Sequence, residues 1–283
     1  MAGGVLYVVA TPIGNLEDVT LRALRVLGEV DLVAAEDTRR TRILLQHHGI
    51  DRPLVSYHDA VERERAPGLV AKMRQGMRVA LVSDAGTPGI ADPGYHLVRA
   101  AVAAGIPVVP IPGPSAVAAI VSVAGVPAER FVFEGFLPSR GGQRREHIRA
   151  LVAEPRAIVF LEAPTRLAAT LADLETELGD RDAVLGRELT KLHEECVRGP
   201  LSILRHHVAR MERVRGECVL LVTGAPEGST ARAVAADDVD ARIRALRAEG
   251  LGAREIAARL ARETGRTRRE IYRRVLEIAA PRM

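Results

Sequence analysis

The sequence predicts an α/β protein made of two α/β domains, followed by a small all-helical segment. Two observations lead to this fold class. Strand and helix patterns alternate with few spare residues over the first 123 positions and resume near Val126. Past residue 230 only helical patterns remain. A hydrophobic fraction of 47% and a charged fraction of 27% are typical of a globular protein.

The first half predicts five strand–helix units, which implies a mostly parallel sheet covered on both faces. Strands are expected at Val5–Ala10, Asp31–Asp37, Leu54–Tyr57, Arg78–Ser83 and Pro107–Ile111, and helices at Thr20–Leu27, Thr38–His48, Val61–Gln75, Gly94–Ala104 and Ser115–Val123. Thr20 is the expected N-cap of the first helix, and Asp92 that of the fourth.

The second half predicts strands at Phe131–Phe136, Ala157–Glu162, Ala183–Glu188 and Glu217–Thr223, and helices at Gln143–Val152, Thr165–Leu178 and Leu201–Met211. Residues 137–142, rich in glycine, are expected to form a flexible basic loop. Helical patterns at Val239–Ala248, Ala253–Arg262 and Arg268–Ile278 complete the chain. We therefore expect domains at 1–125 and 126–228, and a helical tail at 229–283.

Composition narrows the classes of function. No apolar run approaches the roughly 20 residues that span a membrane, and the N-terminus lacks a secretory signal pattern. The two cysteines, Cys196 and Cys218, lack metal-ligand spacing. We expect a cytoplasmic protein without a metal site or membrane contact. The segment 231–283 has 13 Arg against 8 acidic residues in a chain of net charge +4, which favours an anionic partner, with nucleic acid first.

Four of the expected strand ends are followed by loops rich in glycine, proline and carboxylates: 10–18, 36–40, 83–94 and 110–116. Ligands of parallel sheets bind beyond the carboxyl ends of the strands, so these loops predict a binding site. Neither GxGxxG nor GxxxxGK[ST] is present, so the usual phosphate cradles of NAD and ATP are missing. A ligand held by backbone groups and carboxylates fits better, and S-adenosylmethionine is such a ligand.

The blocks ATPIGNLEDVTLRAL, AAEDTRRTR, LVSDAGTPGIADPG, PIPGPSA and FLEAPTR resemble the signature blocks of the ribosomal RNA small subunit methyltransferase I family. That family is a branch of the tetrapyrrole-methylase-like S-adenosylmethionine-dependent methyltransferases, and the resemblance runs from about Leu6 to Ala225. It implies a cofactor cleft between the two α/β domains, a homodimer, and 2′-O-methylation of cytidine 1402 in the 16S rRNA of the 30S ribosomal subunit. The loop after the first strand lacks the GxGxGD pattern of many tetrapyrrole methylases, which favours the RNA-modifying branch.

Carried over by position, the resemblance implies the residues that bind S-adenosylmethionine. They are Pro12, Ser83, Asp84, Ala85, Thr87, Ser115, Ala116, Leu161 and Glu162.

Two further sets of side chains are candidates for the reaction and for RNA. Lys191, Glu188 and Asp37 are candidates for the general base, which stays unassigned. Candidate RNA ligands are Arg39, Arg40, Arg140, Arg144 and Arg145 at the cleft rim and Arg268, Arg269 and Arg273 in the tail. The tail has the spacing of a helix-turn-helix with a turn at Gly265, and we interpret it as an accessory that docks on rRNA.

Two alternatives remain open at this point. A tetrapyrrole or corrin methyltransferase of the same fold would explain the loops but not the basic tail. An α/β sensor with a DNA-binding helix-turn-helix would explain the tail but not the four loops.

Overall fold

The computed structural model describes residues 3–226, 240–264 and 267–279. Its first half contains β1 (Val5–Val9), α1 (Leu21–Glu29), β2 (Leu32–Ala35), α2 (Thr38–His47), β3 (Leu54–Ser56), α3 (Glu62–Arg74), β4 (Arg78–Val82), α4 (Tyr95–Ala103), β5 (Val108–Ile111) and α5 (Ala116–Val123). A single 3₁₀ turn, Leu16–Asp18, lies between β1 and α1.

The first sheet has the strand order β3-β2-β4-β1-β5, and all its strand pairs are parallel, as the sequence predicts. One face packs against α1 and α2, and the other packs against α3 and α4. The chain runs from β1 to β2 toward one edge of the sheet, and from β4 to β5 toward the opposite edge. Because β1 and β4 are neighbours, a crevice opens between their carboxyl ends, where ligands of such sheets bind.

The second half contains β6 (Phe131–Phe136), α6 (Gly141–Ala150), β7 (Ala157–Glu162), α7 (Leu167–Leu178), β8 (Asp182–Arg187), β9 (Glu195–Pro200), α8 (Leu201–Ala209) and β10 (Cys218–Val222). The sheet order is β6-β7-β10-β8-β9, with β6 and β7 parallel and the other pairs antiparallel. The expected strands and helices are present, and β9 is an additional strand that the sequence did not predict.

Helix α5 joins the two halves. It follows the last strand of the first sheet, yet its buried Ile120 packs against Val159, Val184 and Val219 of the second sheet. The opposite face of that sheet is covered by α6, α7 and α8 around Phe160. One face of the second sheet is therefore closed by a helix from the first half of the chain.

The described part of the tail, 240–264 and 267–279, contains three helices: α9 over 240–248, α10 (Ala253–Thr264) and α11 (Arg268–Ala279). Its core holds Ile243, Leu246, Ile256, Leu260 and Val275 and draws all its buried members from these helices and their connections. Arg274 of α11 forms an ion pair with Asp240 of α9 at 2.6 Å. The expected turn at Gly265 and the expected boundary at 228 lie outside the described residues.

Two local predictions were wrong, and one was confirmed. Gly141 and Gly142 belong to α6 rather than to a flexible loop. The N-cap of α4 is Gly94, with a positive φ of 151°, and not Asp92. Thr20 caps α1 as expected, since its side chain accepts a hydrogen bond from the Ala23 amide at 3.1 Å.

Candidate active site

The four predicted loops meet at one edge of the first sheet. Thr11 after β1 and Gly86 after β4 form a two-way backbone bridge, with N···O distances of 2.8 and 3.0 Å. Gly86 has a φ of +78°, a conformation that glycine adopts without strain. The loop after β5 also packs on the loop after β1, because a Cβ added to Gly113 would lie 3.0 Å from the Cβ of Ala10. The loops thus pack directly on one another.

Asp84 ties the loop after β2 to the loop after β4. Its carboxylate accepts a hydrogen bond from the Asp37 amide at 2.9 Å, and its own amide donates to Glu36 at 3.1 Å. Arg40 on α2 lies 3.4 Å from the same carboxylate. Burial raises the pKa of Glu36, and the negative charge of Asp84 adds to this rise. Asp84 therefore holds the crevice together.

A cavity of about 340 Å³ lies between the two halves. The first half contributes Ile13, Ala85, Gly86, Thr87, Ile90, Asp92, Ser115, Ala116 and Val117, and the second half contributes Phe136, Leu161, Glu162, Ala163, Pro164, Leu189, Glu217, Cys218 and Val219. Six of the predicted cofactor residues are in this lining: Ala85, Thr87, Ser115, Ala116, Leu161 and Glu162.

Glu162 contributes its backbone rather than its charge to this cavity. The side chain is almost wholly buried, and its carboxylate accepts hydrogen bonds from the Thr170 hydroxyl at 2.5 Å and the Ala163 amide at 2.8 Å. Arg166 pairs with it at 3.1 Å. Cys218 on the same wall has its thiol pKa raised to about 11 by burial, so it is inert at neutral pH.

The other three predicted cofactor residues, Pro12, Ser83 and Asp84, line a neighbouring cavity of about 210 Å³. Its remaining lining residues are Thr11, Leu16, Arg40, Thr41, Ile43 and Leu44. The two cavities have consecutive residues in their walls, Pro12 beside Ile13 and Asp84 beside Ala85. They adjoin along the loops after β1 and β4.

The sequence predicted Asp92 only as a helix cap and did not identify its carboxyl group as a candidate for the reaction. Burial, with the nearby carboxylate of Glu36, raises the pKa of Asp92 to about 7. It lines the larger cavity, and a carboxyl group with this pKa changes its protonation near neutral pH. The sequence shows that Asp92 lies in a glycine-rich loop, but it does not show the burial that raises the pKa of Asp92.

The three candidate bases keep their charges at neutral pH. Lys191 bridges Glu188 at 2.8 Å and Glu217 at 3.3 Å. These carboxylates hold the pKa of Lys191 above its ordinary value despite its partial burial, and the pKa of Glu188 is lowered by Lys191 in return. Asp37 caps α2, and its hydrogen bonds to Arg39 lower its pKa to about 2.

These protonation states suit structural roles. Lys191 is an ammonium, and Glu188 and Asp37 are weakly basic carboxylates. The aliphatic part of Lys191 crosses the backbone of Gly14, where an added Cβ would lie 2.3 Å from its Cγ. Lys191 thus connects the loop after β1 with the loop after β8.

The predicted RNA ligands fall into two groups. Arg40, Arg140 and Arg145 are exposed, as are Arg39 beside Asp37 and the tail residues Arg268, Arg269 and Arg273. Arg144 is buried, and its guanidinium pairs with Asp173 of α7 at 2.7 Å. The structure therefore places Arg144 inside the second half, where its charge is paired with Asp173.

The sequence has clear relatives along its whole length. A protein of Pseudomonas aeruginosa named ribosomal RNA small subunit methyltransferase I is 48% identical over 98% of both chains. A protein of the same name from Thermotoga maritima is 47% identical over 78% of this chain and 99% of its own. About a fifth of this chain thus has no counterpart in the Thermotoga relative.

Solved structures show the same fold at much lower identity. Uroporphyrin-III C-methyl transferase from Thermus thermophilus, in a complex with S-adenyl homocysteine, matches with a TM-score of 0.56 and 21% identity. The match covers 77% of this chain and 97% of that one.

A family model is also matched. The model of the Tetrapyrrole (Corrin/Porphyrin) Methylases covers residues 5–204, which include both sheets except β10 and all four loops of the site. Together with relatives of one name over nearly the whole chain, this match identifies the family. The chain belongs to the tetrapyrrole methylase family and, within it, to the proteins named ribosomal RNA small subunit methyltransferase I.

Proposed function

We propose that this protein transfers a methyl group from S-adenosylmethionine to the ribose 2′-hydroxyl of cytidine 1402 in the 16S rRNA of the small ribosomal subunit. The observation that carries the proposal is the cavity between the two sheets, built from the predicted loops in a chain whose relatives bear this name throughout. The uroporphyrin-III C-methyl transferase structures from Thermus thermophilus are 21–23% identical to this chain and support the fold alone.

The residues of the larger cavity fit S-adenosylmethionine. Apolar side chains such as Val117, Leu161 and Val219 can enclose the adenine. Thr87 offers a polar group for the hydroxyl and amino groups of the cofactor, and the residues that line the cavity include no Lys or Arg that would repel a sulfonium. When bound, the cofactor supplies an electrophilic methyl group.

The protein itself positions the two reactants and accepts the proton that the ribose hydroxyl loses. Fixing two reactants in line accounts for up to about 7–11 kcal/mol of the barrier, and the rigid loops at the crevice serve this role. Asp92 is suited to take the proton of the ribose hydroxyl, because a group with a pKa near 7 is partly ionised at neutral pH and basic enough to accept it. Asp84, already paired with Arg40, holds the loops in place.

The exposed arginines at the rim and in the tail are proposed to bind rRNA phosphates. Aromatic residues make up only 3% of the chain, so recognition by phosphate contacts and shape fits better than extended base stacking. We further propose a cytoplasmic homodimer acting on the 30S subunit, with the domain division 1–125, 126–228 and 229–283. No helix among the described residues is both long and apolar enough to cross a bilayer.

The proposal is tested by incubating the protein with S-adenosylmethionine labelled in the methyl group and 30S subunits. Label is expected in 16S rRNA, and digestion to nucleosides should give 2′-O-methylcytidine from position 1402. Uroporphyrinogen III and duplex DNA serve as alternative acceptors in parallel reactions. Label in either of these, with none in rRNA, would refute the proposal.

A further inference from the structure

The 210 Å³ cavity beside the cofactor cavity has no role in the function proposed so far. It lies on the α1 and α2 side of the crevice between β1 and β4, next to the loops that separate it from the larger cavity. We propose that it binds the acceptor nucleotide itself, as a single unstacked base with its ribose; this inference rests on the proposed rRNA methyltransferase function.

The chemistry of the lining matches a nucleoside. One side is apolar, with Leu16, Ile43 and Leu44, and Ile43 is 63% exposed although it borders a cavity. Arg40 lies on the same helix, one helical turn before Leu44, and its planar guanidinium is anchored by Asp84 at 3.4 Å. Splayed RNA bases stack on arginine planes and on apolar side chains, and this cavity offers both.

The surroundings of the cavity suit the phosphates on either side of such a nucleotide. Arg39 and Arg42 on α2 are exposed to solvent and lie one and two residues from Arg40 in the sequence. The side chain of Arg39 is 87% exposed even though it pairs with Asp37. A base seated between Leu16 and Ile43 would therefore leave its backbone at a positively charged surface.

The position of the cavity also matches the proposed reaction. Pro12 and Asp84 line this cavity, and their neighbours Ile13 and Ala85 line the cofactor cavity. A ribose held here thus adjoins the proposed methyl-donor site along the loops after β1 and β4. A ribose in a stacked duplex would not enter so narrow a space, so the nucleotide has to leave its stack, as for other enzymes that act on single nucleotides.

The test compares Ile43→Ala with Val102→Ala in the full-length protein. Both side chains are 63% exposed, but Val102 lies on α4, on the opposite face of the sheet. Initial rates of methyl transfer to 30S subunits give KM and kcat, and isothermal titration gives the affinity for S-adenosylmethionine. We expect Ile43→Ala to raise the KM for 30S subunits at least fivefold with an unchanged cofactor affinity, and Val102→Ala to match the wild type.

Arg40→Lys separates stacking from charge. Lysine keeps the positive charge next to Asp84 but lacks the planar surface, so KM should rise here as well. The exposed Arg74→Lys on α3 is the matched control and should leave KM unchanged. A wild-type KM in both Ile43→Ala and Arg40→Lys overturns the nucleotide pocket, and so does an equal loss of cofactor affinity, which would make the cavity part of the cofactor site.

Failure of the two proposals can be told apart. If the wild-type protein places no label in 30S subunits, the proposed function fails and the pocket assignment falls with it. If the wild type methylates 30S subunits but the pocket variants behave like it, only the pocket assignment fails.

Discussion

At the scale of single residues, the site depends on carboxylates whose surroundings give them opposite protonation behaviour. Asp37 is stabilised as an anion by Arg39, with its pKa lowered to about 2, and Glu188 is stabilised by Lys191. Asp92, buried near Glu36, has its pKa raised to about 7. Acids whose pKa values are separated in this way commonly divide structural and chemical roles, and we propose the chemical role for Asp92.

Asp92→Asn tests this assignment. A base must be ionised to accept a proton, so kcat of the wild type should rise with pH up to about 7 and then level off. We expect the variant to lose about 10²-fold or more in kcat and to lose the rise near pH 7. Rates on 30S subunits between pH 5.5 and 9 measure both. A variant that keeps the wild-type pH profile would exclude Asp92 as the base.

Lys191→Met tests the structural role of the ion pairs. The lowered pKa of Glu188 contributes stability that is present above the ordinary glutamate pKa of 4.5 and is lost as pH falls through the lower folded value. The variant lacks that contribution, so its free energy of unfolding should be about 1 kcal/mol lower at pH 7, and the difference should shrink below pH 4.5. Urea unfolding at several pH values measures this. The rise in kcat near pH 7 should remain, whereas its disappearance would restore Lys191 as a candidate base.

At the scale of elements, the sequence predicted well the helices and strands that have a clear periodic pattern of apolar residues. The five parallel strands consist mostly of apolar residues, and their loops are marked by glycine and proline, so the sheet edge and its crevice could be anticipated. The strand β9 was missed because Glu195–Pro200 is a half-buried edge strand with the sequence ECVRGP, which lacks an apolar alternation. Its pairing with β8 is a tertiary contact that no local pattern records.

The same limit applies to the residues of the site. Arg144 looks like its neighbours in the sequence, and only the position of Asp173 on α7 shows that it is buried and paired. The order of the strands placed three of the predicted cofactor residues in a second cavity, and the sequence could not show this division. The residue types of the loops can be read from the sequence, but how the space between the loops divides into two cavities depends on packing.

The contact between α5 and the second sheet leads to a prediction about two glycines. A Cβ at Gly186 of β8 would lie 2.9 Å from Ile120 Cδ1 and 3.0 Å from Val219 Cγ1. Gly186→Val should therefore lower the free energy of unfolding by about 1–3 kcal/mol. Gly28→Ala in α1 is the control, since nothing lies within 4 Å of its added Cβ, and it should raise stability by about 0.5–1 kcal/mol. Urea denaturation of both variants measures the difference, and equal stabilities would show that α5 does not pack as described.

At the scale of the whole molecule, we propose that the tail is a separate unit attached to the two α/β halves. Its described core is made of α9, α10 and α11 residues, and the Thermotoga relative matches only 78% of this chain. The exposed Arg268, Arg269 and Arg273 on α11 give it a positive surface for an anionic partner.

Removing residues 229–283 tests this division. The described part of the tail core contains no residue of the two sheets, so the shortened protein should fold and bind S-adenosylmethionine as the full chain does. Its affinity for 30S subunits should fall about tenfold or more at physiological salt, and the salt dependence of binding should become weaker, since fewer phosphates are neutralised. Filter binding at several salt concentrations measures both. An unchanged salt dependence would argue against rRNA docking by the tail.

The position of α5 has a consequence for the protein during its own synthesis. Ile120 is synthesised early. The second sheet covers it, and β10, the central strand of that sheet, ends only at Val222. At translation rates of about 5–20 residues per second, the apolar face of α5 waits about 5–20 s for that strand. Each new chain therefore passes through an interval in which half of it has been made and an apolar helix is still uncovered, which exposes the chain to chaperones and to aggregation before the active-site cleft exists.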